Sequence, residues 1–257
     1  MKNNPKVSVI IPTYNRPEVR DAVKSVLSQT YSNIEVIVVD DCSENPARSF
    51  LEDFENEITI IRHEENKNGS AARNTGIYNS SGDYIAFLDD DDRWRPKKIE
   101  AQLDRLKETD NSYEACYTQQ ESCFSDRAIV ESEVPEGDIR KEVLKDQVKT
   151  SFGSSLLLKR DIVQKVGGFD EKFPRHQDWE FVLRALKYTK FCAVNEPLIV
   201  RNFEYSTRPS LEERIKAKKL YLGKFQDLIA SYGLIESRKI YSSHYYELSL
   251  VAAKNKE

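Results

Sequence analysis

Four consecutive aspartates, Asp89–Asp92, directly follow the apolar run Tyr84-Ile-Ala-Phe-Leu88 and precede Arg93-Trp-Arg-Pro96. An apolar run of this length reads as a buried strand. A strand that ends in four carboxylates must end at an open edge, because such charge is strongly self-repelling unless a hard cation or water compensates it. The same design recurs upstream, where Val36-Ile-Val-Val39 ends in Asp40-Asp41 and Val7-Ser-Val-Ile-Ile11 runs into Pro12-Thr-Tyr-Asn15. Unbroken apolar runs belong to strands covered on both faces, as in a parallel sheet flanked by helices.

Helical patterns fill the intervals. Residues 18–30 place Val19, Ala22, Val23, Val26 and Leu27 on one face. Ile58–Ile61 reads as a further strand, residues 68–76 as a loop feeding a helix, and Ser81-Gly-Asp83 as the turn before the aspartate strand. This alternation predicts βαβ units and an α/β fold with a mainly parallel central sheet. Ligands of such sheets collect outside the carboxyl ends of the strands. Thr13–Asn15, Asp40–Asp41 and Asp89–Asp92 are therefore expected to line one crevice.

Beyond Pro96, Ile99, Leu103 and Leu106 have helical spacing. Residues 119–150 lack periodicity and read as variable loops and edge strands, after which Ser151–Leu158 returns to strand character. A short helix is expected to stop at Gly167-Gly168, where glycine supplies the C-cap. His176–Leu186 reads as a helix with an acid near its start, and Phe191–Val194 and Leu198–Val200 as closing strands. Ser210-Leu-Glu-Glu213 is a capping box opening an amphipathic helix, and another helix is expected from about residue 237 to 254.

The chain has 257 residues, enough for one large domain with an extension but not for two independent ones. Its content is 39% hydrophobic and 32% charged, and it holds no apolar run near the roughly 18 residues of a membrane span. The first strand follows Met1–Pro5 too closely for a signal-peptide core, so a cytoplasmic location is expected. Four cysteines (Cys42, Cys116, Cys123, Cys192) lack C-x-x-C spacing and suggest neither a zinc site nor a redox motif. The net charge of −4 divides into +4 over residues 201–257 and −8 over the rest. No nucleic-acid partner is expected. Lys216, Lys218, Lys219 and Lys224, interleaved with Tyr221, Leu222 and Phe225, suit either peripheral contact with an anionic membrane on its inner face or a solvated basic face. The run Tyr241-Ser-Ser-His-Tyr-Tyr246 suits self-association as a homodimer through the C-terminal helices.

Six segments, in order, resemble the GT-A nucleotide-sugar glycosyltransferases, most closely the inverting enzymes of family 2. They are Val-Ser-Val-Ile-Ile-Pro-Thr-Tyr-Asn-Arg (7–16), Val-Val-Asp-Asp-Cys-Ser (38–43), Ala-Ala-Arg-Asn-Thr-Gly (71–76), Phe-Leu-Asp-Asp-Asp-Asp (87–92), Gly-Gly-Phe-Asp (167–170) and Gln-Asp-Trp-Glu-Phe-Val-Leu-Arg (177–184). The resemblance implies a GT-A domain over residues 1–205, with a nucleotide-binding half to about 95 and an acceptor half beyond it, and a helical extension over 206–257. It implies a UDP-sugar donor, a glycan or lipid-linked acceptor, and a setting in surface polysaccharide or glycoconjugate assembly. Asp89 and Asp91 would hold Mg²⁺ or Mn²⁺ against the donor's phosphates. Asp90 would meet the ribose, Asp40 the uracil ring, Pro12, Thr13, Tyr14 and Asn15 would frame base and ribose, and Arg73 would lie near base and phosphate. Asp178 would be the catalytic base, since inverting transfer needs one carboxylate to take the acceptor's proton. The family's usual Glu-Asp is Gln177-Asp178 here.

Each residue also has a plainer reading. Asp40 fits a cap near Ser43, Asp178 a helix N-terminal acid, Arg73 a salt bridge and Tyr14 packing. Trp94 suits a pocket lining or packing, Trp179 the core, and Arg184 an ion pair with the acidic crevice. Two other activities share the pattern in part. A nucleotidyltransferase would need a Gly-rich phosphate loop where Pro12-Thr-Tyr-Asn15 stands, and a catalytically silent sugar-nucleotide-binding protein would have lost the base or the metal acids, which are present.

Overall fold

The computed structural model describes residues 4–130, 133–202 and 209–254. In chain order the elements are β1 (Val7–Thr13), α1 (Val19–Leu27), β2 (Ile34–Asp40), β3 (Ile58–Arg62), α2 (Gly69–Tyr78), β4 (Tyr84–Phe87), β5 (Asp92–Trp94), α3 (Lys98–Glu108), β6 (Tyr113–Cys123), β7 (Ala128–Val130), α4 (Arg140–Leu144), α5 (Phe152–Ser155), β8 (Leu157–Lys159), α6 (Arg160–Val166), α7 (Gln177–Ala185), β9 (Lys190–Asn202), α8 (Leu211–Lys224), α9 (Gln226–Ser231) and α10 (Gly233–Lys254). The strands form one sheet in the order β3-β2-β1-β4-β8-β6-β9-β5, with β7 hydrogen-bonded to β6.

Strands β3, β2, β1 and β4 are all parallel, as their apolar runs predict. Every residue of β1 is buried, and its side chains alternate between two cores. Val7, Val9 and Ile11 pack with Val19 and Val23 of α1 and Ile99 and Leu103 of α3, whereas Ile10 packs with Phe87, Phe181 and the C-terminal Tyr221. Gly76 of α2 lies against Ile10 so closely that a Cβ there would stand 2.3 Å from Ile10 Cγ2. Helix α2 thus rides low on the sheet. Because the register pairs Thr13 with Asp40 and Ile10 with Phe87, the polar ends of β1, β2 and β4 open on one rim.

Three elements depart from the expectation. The stretch read as loops from Gln119 begins inside β6, an eleven-residue strand lying between β8 and β9. Its second half hides polar side chains, which masks the pattern: Thr118, Gln119, Gln120 and Ser122 are buried, and Gln120 donates to Ser122 Oγ and accepts from the Ser151 N–H. Ser151–Leu158 opens as the helical turn α5, where Ser154 and Ser155 are buried, and extends only from Leu157. The two closing strands are one, β9, continuous through register shifts opposite β6.

The C-terminal helices share the main core. Tyr221, Leu222, Phe225, Ile229 and Ile240 join the cluster that contains Phe87 and Phe181. The Ser210 capping box forms as predicted. Among the described residues no helix is long and apolar enough to cross a membrane.

Candidate active site

A cavity of about 850 Å³ opens on the rim where β1, β2 and β4 end. Pro12, Thr13, Tyr14 and Asn15 line it from the end of β1 and the turn beyond, Asp89, Asp90 and Asp91 from the segment after β4, Arg73 from α2, and Asp178 from α7. The structure therefore brings together every predicted site residue except one. Asp40 does not line the cavity: it is 1% exposed, its carboxylate accepts the N–H groups of Ser43 at 2.8 Å and Ala47 at 2.9 Å, and Arg62 pairs with it at 2.6 Å. Those hydrogen bonds hold its pKa below the ordinary value against the opposing effect of burial. Asp41 reaches the cavity instead, steadied by the N–H groups of Lys67 and Asn68 and by His63 Nδ1 at 2.7 Å.

Each aspartate of the tetrad has a different surrounding. Asp90 accepts from Thr13 Oγ1 at 2.8 Å, and burial pushes its pKa up to about 7. Asp91 pairs with Arg16 at 2.5 Å and Asp89 with the buried Arg73. Asp92 turns inward, 1% exposed, and receives the Ser154 hydroxyl at 2.5 Å. The same Ser154 accepts the Asp89 N–H, and its carbonyl accepts the Trp94 indole N–H at 2.9 Å. Trp94 is consequently packing behind the site rather than lining it. Gly153 passes beneath Asp89, where a Cβ would come within 2.7 Å of Oδ2.

Arg73 spans the two halves of the site. It is 5% exposed, donates to the Gly69 carbonyl at 3.1 Å and lies 5.5 Å over the Phe169 ring. With its amide oriented to match its neighbours, Gln177 accepts from Arg73 Nη1 at 3.1 Å and donates to the Phe173 carbonyl at 3.2 Å, so the residue before Asp178 is anchored without a negative charge. His176 ahead of it is left-handed (φ 58°), which turns the chain into α7 and aims Asp178 at the cavity. Burial, then the nearby Asp89, raise the Asp178 pKa, and burial and Asp89 raise that of Asp91 in the same way. Arg201, lining the cavity from β9, draws both back.

Arg184 does not face the crevice. Its guanidinium binds the buried Glu180 at 2.5 and 2.6 Å and the carbonyls of Val166 and Gly168, tying α7 to the Gly167-Gly168 turn. Sequence reasoning also missed the far wall. Asp146, Lys149, Arg175, Arg214, Lys218 and Glu247 line it. Lys218 and Lys224, read from sequence as part of a basic face, point inward to Glu247 and to Asp170 and Glu180. The only signal for this was the periodicity that puts Lys218 on the same face as Tyr221, Leu222 and Phe225.

A divalent cation is the group this chemistry would suit. Asp89 and Asp91 are hard oxygen donors, partly exposed to the cavity, and the charge of Asp89, which after burial raises Asp91 and Asp178, is what a cation would offset. Gly153 leaves the space beneath Asp89 free of side chain. Among the described residues no group of three or more Asp, Glu, His or Cys side chains is placed to hold a metal ion, so protein ligands would act as a pair.

An uncharacterized glycosyltransferase of Haemophilus influenzae is 32% identical over 202 residues, which are 77% of this chain and 68% of that protein. The putative teichuronic acid biosynthesis glycosyltransferase TuaG of Bacillus subtilis is 43% identical over 108 residues, 40% of this chain and 43% of that one. The structure of S. aureus TarS 1-349 in complex with UDP-GlcNAc superposes with a TM-score of 0.70 at 18% identity, covering 91% of this chain and 69% of that chain, and shows the shared GT-A fold. The profile of glycosyl transferase family 2 matches residues 8–167, and the chain belongs to that family.

Proposed function

We propose that this chain transfers a sugar from a UDP-sugar to an acceptor hydroxyl with inversion, assisted by Mg²⁺ or Mn²⁺, in the assembly of a polysaccharide. The observation that carries this reading is the meeting of Asp89, Asp91, Arg73 and Asp178 in one cavity at the strand ends. The UDP-GlcNAc in the TarS complex and the teichuronic acid biosynthesis in the name of TuaG support the donor class and the setting.

Pro12–Asn15 and Asp41 would frame the base, with Asp90 and Thr13 at the ribose. Asp89 and Asp91 would hold the cation, which would supply Lewis-acid stabilisation of the diphosphate leaving group. Arg73, held against Asp89, adds fixed positive charge beside the phosphates. Asp178 accepts the acceptor hydroxyl's proton as its oxygen bonds to the anomeric carbon. The bond from that carbon to the diphosphate breaks on the opposite face, and its electron pair leaves with UDP. A raised pKa makes Asp178 a stronger base than a solvated aspartate.

A thermal-shift screen of nucleoside diphosphates with and without Mn²⁺ tests the donor side. Stabilisation by UDP that needs Mn²⁺ and disappears in Asp91→Ala supports the proposal. Equal shifts with every base, or shifts indifferent to both the metal and Asp91, contradict it.

A further inference from the structure

The far wall of the cavity holds more positive charge than its carboxylates compensate. Asp146 and Glu247 are committed: Lys218 pairs with Glu247 and sits 4.0 Å from Asp146, while Arg214 stands 3.3 Å from Glu247. Arg175 lines the same cavity with no carboxylate at ion-pair distance among the described residues. Glu213 attracts it only through space, being exposed and bound by Ser210 in the capping box. Lys149 donates only to the backbone carbonyl of Asp146, at 3.0 Å.

Electrostatics around Arg175 point the same way. Burial, followed by the like charge of Arg214, lowers its pKa, as expected of a guanidinium that no anion satisfies. Beside it, the rings of His176 and Trp179 lie 4.8 Å apart and both line the cavity. An aromatic face next to an unpaired guanidinium offers a seat for a sugar ring and a fork for an anionic substituent. Arg175 and Asp178 line the same cavity, so a ligand seated on Arg175 shares it with the proposed base.

We propose that the acceptor is a glycan bearing an anionic group, a carboxylate or a phosphate, close to its reacting hydroxyl, and that Arg175, seconded by Lys149, receives that group. The inference rests on the transferase reading, because it treats the far wall as the acceptor side. A neutral acceptor would leave the guanidinium desolvated and unpaired, which is costly.

The test measures binding of three probes to the full chain saturated with UDP and Mn²⁺: 4-nitrophenyl glucuronide, 4-nitrophenyl glucoside and 4-nitrophenyl glucoside 6-phosphate. At least one anionic probe is expected to bind about tenfold or more tighter than the neutral glucoside. In Arg175→Gln that ratio falls to within about twofold, and in Arg175→Lys it is partly retained, since lysine keeps the charge and loses the fork. The probe with the larger preference tells carboxylate from phosphate. Equal affinities, no binding of either anionic probe, or a preference that survives Arg175→Gln overturns the inference. A Mn²⁺-dependent shift with UDP in the same samples separates the causes: with the shift present only the acceptor inference fails, and with it absent the donor reading fails too.

Discussion

At the scale of single residues, adjacent aspartates in this chain have separate duties set by their surroundings. Asp40 and Asp41 follow one another at the end of β2, yet the first closes a turn and the second faces the cavity. Substitution of Asp40 by Ala leaves two N–H groups and Arg62 without their acceptor, at a cost of about 2 kcal/mol or more. Chemical denaturation should report that loss, while UDP affinity of the folded fraction changes less than about threefold; a large loss of affinity at unchanged stability would place Asp40 at the base instead. Asp178 was legible as an acid at a helix start, but its direction depends on the left-handed His176 and on the Gln177 anchor to Arg73. Neither is visible in a one-dimensional pattern.

Short elements and contacts between elements carry much of what the pattern could not show. Helical turn α5 supports the acidic rim from below through Ser154 and Gly153. A methyl group in Gly153→Ala would press on Asp89, so donor-dependent activity should fall about tenfold or more, with the metal concentration for half-maximal rate rising. Normal metal dependence in that variant would show that Asp89 is not positioned by α5. Helices α8 and α10 meet through a buried pair, with Lys218 Nζ donating to His244 Nδ1 at 3.0 Å and His244 Nε2 donating to the Leu144 carbonyl at 2.7 Å. That arrangement fixes a neutral imidazole. Burial, then Lys218, lowers the His244 pKa to about 4, against the pull of Glu247. In the unfolded chain the ring titrates near 6.5, so below that pH the unfolded state binds a proton that the folded state does not. Its contribution is therefore complete above about pH 6.5 and is lost as the pH falls towards 4, by about 3 kcal/mol in all. Denaturation curves of wild type and His244→Gln should converge over this window. Parallel curves would mean that the folded state already accommodates the imidazolium.

Across the whole molecule, the parallel half of the sheet was legible because each strand is a mostly apolar run, and its rim followed from the fact that parallel strands end together. The other half was not, since β6 buries polar side chains, and Gln120 and the Thr118 carbonyl are met by Ser151 and Thr150, far along the chain. The far wall was hidden for a related reason. Lys216, Lys218, Lys219 and Lys224 look in sequence like a solvated face, and only the packing of α8 on the core turns Lys218 inward. In the proposed reaction the two halves of the sheet meet: a donor held by the parallel strand ends is attacked by a hydroxyl that Asp178 deprotonates from α7. Steady-state transfer and UDP-sugar affinity, measured together in Asp178→Asn, decide this. Transfer should fall by about 10²-fold or more with donor affinity within about twofold of wild type. Transfer retained at near wild-type rate would rule out Asp178 as the base.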